Sequence, residues 1–288
     1  MDVNTLLNAD MSAGRIALAA RVALAQCEPE AKAPLYFEAL EQAINEEPPP
    51  FAMAAYGDIY LASSKDAAWM VVSLITNAER EGDGAKRLWS LAACADDPEI
   101  QRLLKCHAVD ESRHALLYLA LLDLGFPGCV DPSFRRDLSS LSPHFSPTQP
   151  LAAIEGSPYA KQPTIDDFIQ MNIAEIRTTI HHIMQRVAIA VHCPDDQRKP
   201  IISIQDSLLR DELKHIAYTG VLIDQLARHI APEKTKALFR QRFRHFNQIT
   251  IDELGEGVFD CSVACCAKRP TCRAKVPATP TDLVVASQ

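Results

Sequence analysis

Glycine is scarce in this chain, with 10 in 288 residues. Alanine and leucine are abundant, a balance that favours long helices over many short strands joined by tight turns. No strand pattern is visible, so the expected class is all-α. Long apolar runs are lacking too: the longest, Ala115 to Leu122, is far short of the roughly 20 apolar residues that cross a bilayer. The first residues carry Asp2, Asp10, Arg15 and Arg21 and lack the charged-then-apolar layout of a signal peptide. A cytoplasmic address is therefore expected, with the cysteines mostly reduced. Those cysteines number nine, an odd and scattered set that argues against a disulfide scaffold. There is no basic excess: 29 Lys+Arg stand against 37 Asp+Glu, a net charge of −8, which argues against nucleic acid or an anionic membrane as partner. What remains, 48% hydrophobic and 23% charged, is the composition of an ordinary globular protein and excludes wholesale disorder.

Helical periodicity marks Met11 to about Gln26 and Lys32 to about Asn45, closed by Pro48, Pro49 and Pro50. A longer helix is predicted from Ser63 or Ser64, either of which can cap it, to about Ala95, with Gly82 and Gly84 inside it. Asp97 and Pro98 open another that stops near Gly125. Residues 126–163 hold seven of the 19 prolines and read as a long irregular connection, with a short helical turn near Phe134. Thr164 then caps a helix to about His192, its first turn holding Asp166 and Asp167. Asp195 or Asp196 starts one to about Ile230, and Pro232 one to about Leu254. The expected organisation is an N-terminal helical extension (1–62), a four-helix-bundle domain (63–254) with its crossover at 126–163 and a C-terminal helix at 232–254, and a Cys/Pro-rich tail (255–288). Ferritin-type bundles have one such crossover.

One motif occurs twice. Asp110-Glu111-Ser112-Arg113-His114 lies in the helix before the crossover, and Asp211-Glu212-Leu213-Lys214-His215 in the second helix after it. Residues three apart share a helix face, so each Glu–His pair can offer a carboxylate oxygen and an imidazole nitrogen to one ion. Ordinary residue frequencies make two such repeats roughly a one-in-a-thousand event, which favours a shared metal site over two solvated faces. Such a site needs a further carboxylate from each of the other two helices. Glu79 and Glu175 qualify, each on an apolar face (Val72-Ile75-Glu79 and Phe168-Met171-Glu175) where a carboxylate is costly unless paired or metal-bound. Glu81 rivals Glu79, which is preferred because Val72 and Ile75 precede it on one face.

These residues together resemble the carboxylate-bridged di-iron proteins of the ferritin-like superfamily. The D-E-x-R-H form is similar to its oxygen-activating branch: multicomponent monooxygenases, acyl-carrier-protein desaturases and amine N-oxygenases. The resemblance covers about residues 64–230 and implies two iron ions, with manganese acceptable at one position, held by Glu79, Glu111, His114, Glu175, Glu212 and His215. It implies bridging roles for Glu111 and Glu212, and Asp110 and Asp211 as acceptors for the ligand imidazoles, with Arg113 and Lys214 available to pair with those aspartates. Oxygen would be the co-substrate, a small organic molecule would be hydroxylated, N-oxygenated or desaturated, and electrons would come from an external reductase or ferredoxin, since no flavin, haem or iron–sulfur motif is visible. A homodimer is compatible with this. The alternative is a ferritin- or rubrerythrin-like protein that oxidises iron or scavenges peroxide.

Further side chains bear on the chemistry. Thr179, four residues after Glu175, could line an oxygen pocket as a threonine does in related monooxygenases, or bond back to its own helix. Tyr118, four residues after His114, sits where the small subunit of ribonucleotide reductase has its radical tyrosine, though packing is the preferred role. The amine N-oxygenases add a histidine four residues before the last ligand Glu, where this chain has Leu208. His182, two turns after Glu175, could be a seventh ligand or an outer hydrogen-bond donor, or an ordinary core histidine. The tail cluster Cys261, Cys265, Cys266 and Cys272 matches neither a rubredoxin-type site nor a zinc ribbon.

Overall fold

A computed structural model of the chain describes residues 2–254, all of whose regular elements are helices. The cysteine cluster and the rest of the predicted tail lie outside the described residues. None of the described helices is long and apolar enough to cross a membrane. The helices are α1 (Val3–Leu7), α2 (Gly14–Cys27), α3 (Pro34–Glu46), α4 (Ala54–Ser63), α5 (Ala67–Cys94), α6 (Pro98–Gly125), α7 (Pro132–Leu138), α8 (Ile165–His192), α9 (Arg198–Ala227) and α10 (Pro232–Leu254).

Most boundaries follow the local chemistry read above. Asp97 accepts hydrogen bonds from the Glu99 and Ile100 amides at 2.8 and 3.1 Å, with Pro98 at the first helical position. Thr164 forms a reciprocal capping box with Asp167, satisfying two otherwise orphaned amides at the start of α8. One expected cap is wrong. Ser63 ends α4, and Asp66 caps α5 by accepting from the Ala68 amide at 2.8 Å. Aspartate caps as well as serine, and Asp66 lies three residues beyond Ser63.

The chain divides into two compact units. Among the described residues, the first comprises 2–63, Phe168–Met184 and 216–254; the second comprises Ser64–Asp167 and Gln185–His215. In the first, α3 packs on α10, and the buried Tyr36 donates to Asn172 Oδ1 at 2.9 Å. Asn172 in turn donates to the Ile216 carbonyl and the Thr219 hydroxyl at 3.1 and 2.9 Å, tying α8 to α9. Burial pushes the Tyr36 phenol up, so the hydroxyl stays a donor. The start of α3 has no side chain of its own to cap it. Asp224 of α9 supplies one, accepting from the Leu35 and Tyr36 amides at 2.8 and 3.3 Å.

In the second unit α5 packs along α6. The crossover lies on this pair through specific contacts. Ser142 Oγ donates to the Ser112 carbonyl at 2.6 Å, and the Phe145 amide donates to Ser112 Oγ at 2.9 Å. Phe145 stacks on Trp89 with centroids 4.2 Å apart, and Lys105 holds the carbonyls of Pro147 and Gln149 at 2.7 and 2.8 Å. The long proline-rich connection is therefore fixed to α5 and α6, and its anchor residue Ser112 is the neighbour of Glu111.

Candidate metal centre

The buried stripe of α6 runs Leu104, His107, Ala108, Glu111, His114, Ala115, Tyr118. Its 3–4 residue spacing is that of a core-facing helix, yet three consecutive turns place an imidazole, a carboxylate and an imidazole where apolar groups belong. On α9 the buried set Leu208, Asp211, Glu212, His215, Ile216 shows the same substitution of ligand-type residues into a core face.

The two motifs meet within the second unit, and they meet reciprocally. His114 Nδ1 lies 3.6 Å from Glu111 Oε1 of its own motif and 3.4 Å from Glu212 Oε1 of the other. His215 Nδ1 lies 3.5 Å from Glu212 Oε2 and 3.3 Å from Glu111 Oε1. Each glutamate thus faces both imidazoles. The outer nitrogens cross over as well: His114 Nε2 faces Asp211 at 3.6 Å, and His215 Nε2 faces Asp110 at 3.4 Å. Each aspartate orients the histidine of the opposite motif, whereas sequence alone did not say which. Arg113 ties the aspartates together, donating to Asp110 at 3.1 Å and Asp211 at 2.5 Å, and Lys214 adds a 2.7 Å bond to Asp211.

The separations identify what this arrangement fits. Both ring nitrogens of His114 are buried and make no hydrogen bond among the described residues, although carboxylate oxygens stand 3.4–3.6 Å away. Two ligand atoms each about 2.1 Å from one ion, subtending about 90–110°, are about 3.0–3.4 Å apart. The gaps around Nδ1 are too long for hydrogen bonds and close to the spacing of ligands around a cation. In a buried site, polar atoms left without bonds are costly unless something else satisfies them.

On α5 the carboxylate near the cluster is Glu81, not the expected Glu79. Glu79 is exposed, while Glu81 is half-buried and hydrogen-bonds Glu111. Ligand atoms of Glu81, Glu111 and His114 lie within 4.8 Å of one another. Val72, taken above as marking the inner face, is 48% exposed; the buried stripe of α5 is Met70, Leu74, Ala78, Gly82, Ala85. Glu81 flanks that stripe one turn after Ala78, so Met70, Leu74 and the small residues after them, not the β-branched ones, mark the packed face. Two carboxyl groups in contact need a proton or a cation between them, which again suits a metal.

His107 was missed. It is 1% exposed, its Nε2 lies 3.1 Å from Glu111 Oε1, and its ring stacks on His215 with centroids 3.6 Å apart. Its position one turn before Glu111, between Leu104 and Ala108, was a legible signal: an imidazole on a core stripe beside a ligand-type carboxylate. Leu208, the equivalent position on α9, is fully buried and apolar.

The other expected residues are placed as follows. Glu175, Thr179 and His182 are all buried on the part of α8 that belongs to the first unit. The Thr179 hydroxyl makes no hydrogen bond among the described residues, so it does not bond back to its own helix. Tyr118 is buried one turn past His114. Compared with family models, curated proteins and solved structures, the chain matches none. What stands on the structure itself is an all-helical protein with a buried His/Glu cluster that could hold a metal ion.

Without metal the cluster is a network of charges. Burial opposes ionisation of Glu111, but Glu81, His114 and His107 hold it well below the usual carboxylate range. Burial likewise disfavours the His114 imidazolium, yet Glu111 and Asp211 raise its pKa to about 9. A raised histidine stabilises the metal-free fold fully below its ordinary value near 6.5, and that contribution is lost as pH climbs through 9. A depressed glutamate contributes above its ordinary 4.5 and loses that as pH falls. Metal-free stability is therefore best between about pH 4.5 and 6.5. A metal bound at His114 must displace its proton at neutral pH. Affinity for Co(II) is expected to rise by up to about tenfold per unit between pH 7 and 9, with proton release measurable by calorimetry in buffers of different ionisation enthalpy. An affinity flat across that range would show that His114 does not ligate.

Proposed function

We propose that the protein is an oxygen-dependent di-iron oxidoreductase built on a ferritin-like bundle, acting on a small organic substrate. The observation that carries this reading is the reciprocal facing of Glu111 and Glu212 on both His114 and His215. Glu111, His114, Glu212 and His215 would hold the irons, with Glu81 supplying a further carboxylate from α5. The donors are all nitrogen and oxygen, with no thiolate, a set that suits iron or manganese better than a structural zinc. A carboxylate-bridged iron pair, when bound, supplies the binding and reduction of dioxygen.

The chain's own residues prepare that centre. Asp211 faces the outer nitrogen of His114 and Asp110 that of His215, so each Nδ1 is left for the ion and each ring is held in orientation. Burial pushes Asp211 up, but His114, Lys214 and Arg113 together hold it far below the ordinary carboxylate range, so it remains an acceptor. Leu104, Ala108 and Ala115 on α6 and Leu208 on α9 are fully buried on the same helix faces as the ligand-type residues. Electrons would come from an external reductase or ferredoxin.

The test is anaerobic loading with Fe(II). About two irons per chain are expected, and admission of oxygen is expected to consume O2 with oxidation of both. A single zinc per chain, or no bound metal, would overturn the reading. Turnover limited to ferrous ion or peroxide, with no organic substrate oxidised across a chemically diverse panel, would favour an iron-handling protein instead.

A further inference from the structure

We infer that His107 is a third imidazole ligand of this centre, so that its two metal positions are chemically unlike. The inference rests on the di-metal reading above. Three observations carry it. His107 is 1% exposed, on a stripe otherwise given to apolar residues or ligands. Its Nε2 and the Nδ1 of His215 converge on one oxygen, Glu111 Oε1, at 3.1 and 3.3 Å. Ligand atoms of His107, Glu111 and His215 lie within 4.8 Å of one another.

The competing account is a core histidine that merely donates to Glu111. A single donor would do that without stacking its ring on the ligand His215 at 3.6 Å and 24°. That stacking directs two imidazoles toward the same edge of the same carboxylate, where an ion bound by Glu111 would sit. The second position, on the side of His114, is reached by Glu81 instead. The two positions thus differ in their imidazoles: two nitrogens on the side of His107 and His215, one on the side of His114. Imidazole favours iron over manganese, and carboxylates discriminate less between them, so the His107 position is the iron-selective one.

The test uses Co(II) as probe on the full chain. Buried ring N–H protons of histidines bound to a paramagnetic ion give strongly shifted proton NMR lines that survive exchange. Three such lines are expected in the wild type, from His107, His114 and His215, and two in His107→Gln. Glutamine retains a hydrogen-bond donor for Glu111 but no imidazole. In that variant one Co(II) should weaken more than about hundredfold, beyond what loss of an outer hydrogen bond costs, while the other stays close to wild type. Two lines in the wild type, or unchanged stepwise affinities in the variant, overturn the proposal. If His107→Gln does not fold, the wild-type line count decides alone. A wild type that binds no Co(II) overturns the di-metal reading, and this inference with it.

Discussion

Glu111→Ala is expected to abolish binding of both ions, not one. Its Oε1 lies within 3.6 Å of nitrogens from His107, His114 and His215, and Glu81 bonds it from α5. Its removal should weaken metal affinity by more than about hundredfold at each position, above the ten- to hundredfold typical of losing an outer-sphere contact. The loss also reads out in stability. A ligand at a thousand times its Kd adds about 4 kcal/mol to the folded state, or about 8–16 °C of Tm for a domain of this size. That metal-dependent rise should vanish in Glu111→Ala. Two companions locate the site: Glu81→Ala should weaken one ion, and Glu79→Ala, an exposed change, should bind two ions as the wild type does. A Glu79→Ala variant that loses metal while Glu81→Ala retains it would invalidate the assignment on α5.

The contrast between Glu79 and Glu81 shows where sequence reading succeeds and where it stops. Caps are local: Asp97 and Thr164 each accept from amides within one turn, and Pro232 fixes its own φ at a helix start, so all three could be read from the residues themselves. The doubled motif was legible for the same reason, because a Glu and a His three apart must share a face whatever surrounds the helix. The choice between two carboxylates two residues apart is different. It depends on the rotation of α5 about its own axis, which is fixed by what packs against it. Here that is α6 on one side and the Leu141 backbone on another, at Gly82. Val72 and Ile75 gave the wrong phase, since Val72 is half exposed while Met70, Leu74, Ala78 and Gly82 are buried. His107 was overlooked because it stands outside the repeated motif; its counterpart on α9 is a leucine, so the repeat could not point to it.

The charge of the chain takes on a different meaning with the site in view. Glu111, Glu175, Asp211 and Glu212 are all buried, and burying an ionised carboxylate costs several kcal/mol even after relaxation. Asp211 is offset by Arg113 and Lys214. Glu111 faces the imidazoles of His107, His114 and His215, and Glu212 those of His114 and His215; an imidazole is fully charged only when protonated. Part of the −8 net charge therefore sits inside the protein, where it bears on cation binding rather than on the outer surface.

Gly82→Ala and Gly84→Ala, two residues apart on α5, are expected to change stability in opposite directions. Glycine inside a helix costs about 1 kcal/mol relative to alanine, and a Cβ at Gly84 would meet nothing within 4 Å. Gly84→Ala should therefore be neutral to stabilising by up to about 1 kcal/mol. At Gly82 the same Cβ would lie 2.0 Å from the Leu141 carbonyl oxygen and 2.9 Å from its carbon. The obstacle is backbone, which no rotamer change can move aside, so the cost is at or above the upper end of the 1–3 kcal/mol usual for overpacking. Set against the helix gain, a net loss of about 2 kcal/mol remains, or about 4–8 °C in Tm. The damage should reach the metal centre, because the displaced segment continues into Ser142, which is bonded to Ser112 beside Glu111. Thermal melts with and without Co(II) separate the two effects: Gly82→Ala should melt lower in both and bind Co(II) more weakly, while Gly84→Ala should bind it as the wild type does. Equal Tm values for the two variants would show that the crossover does not close on α5 at this glycine.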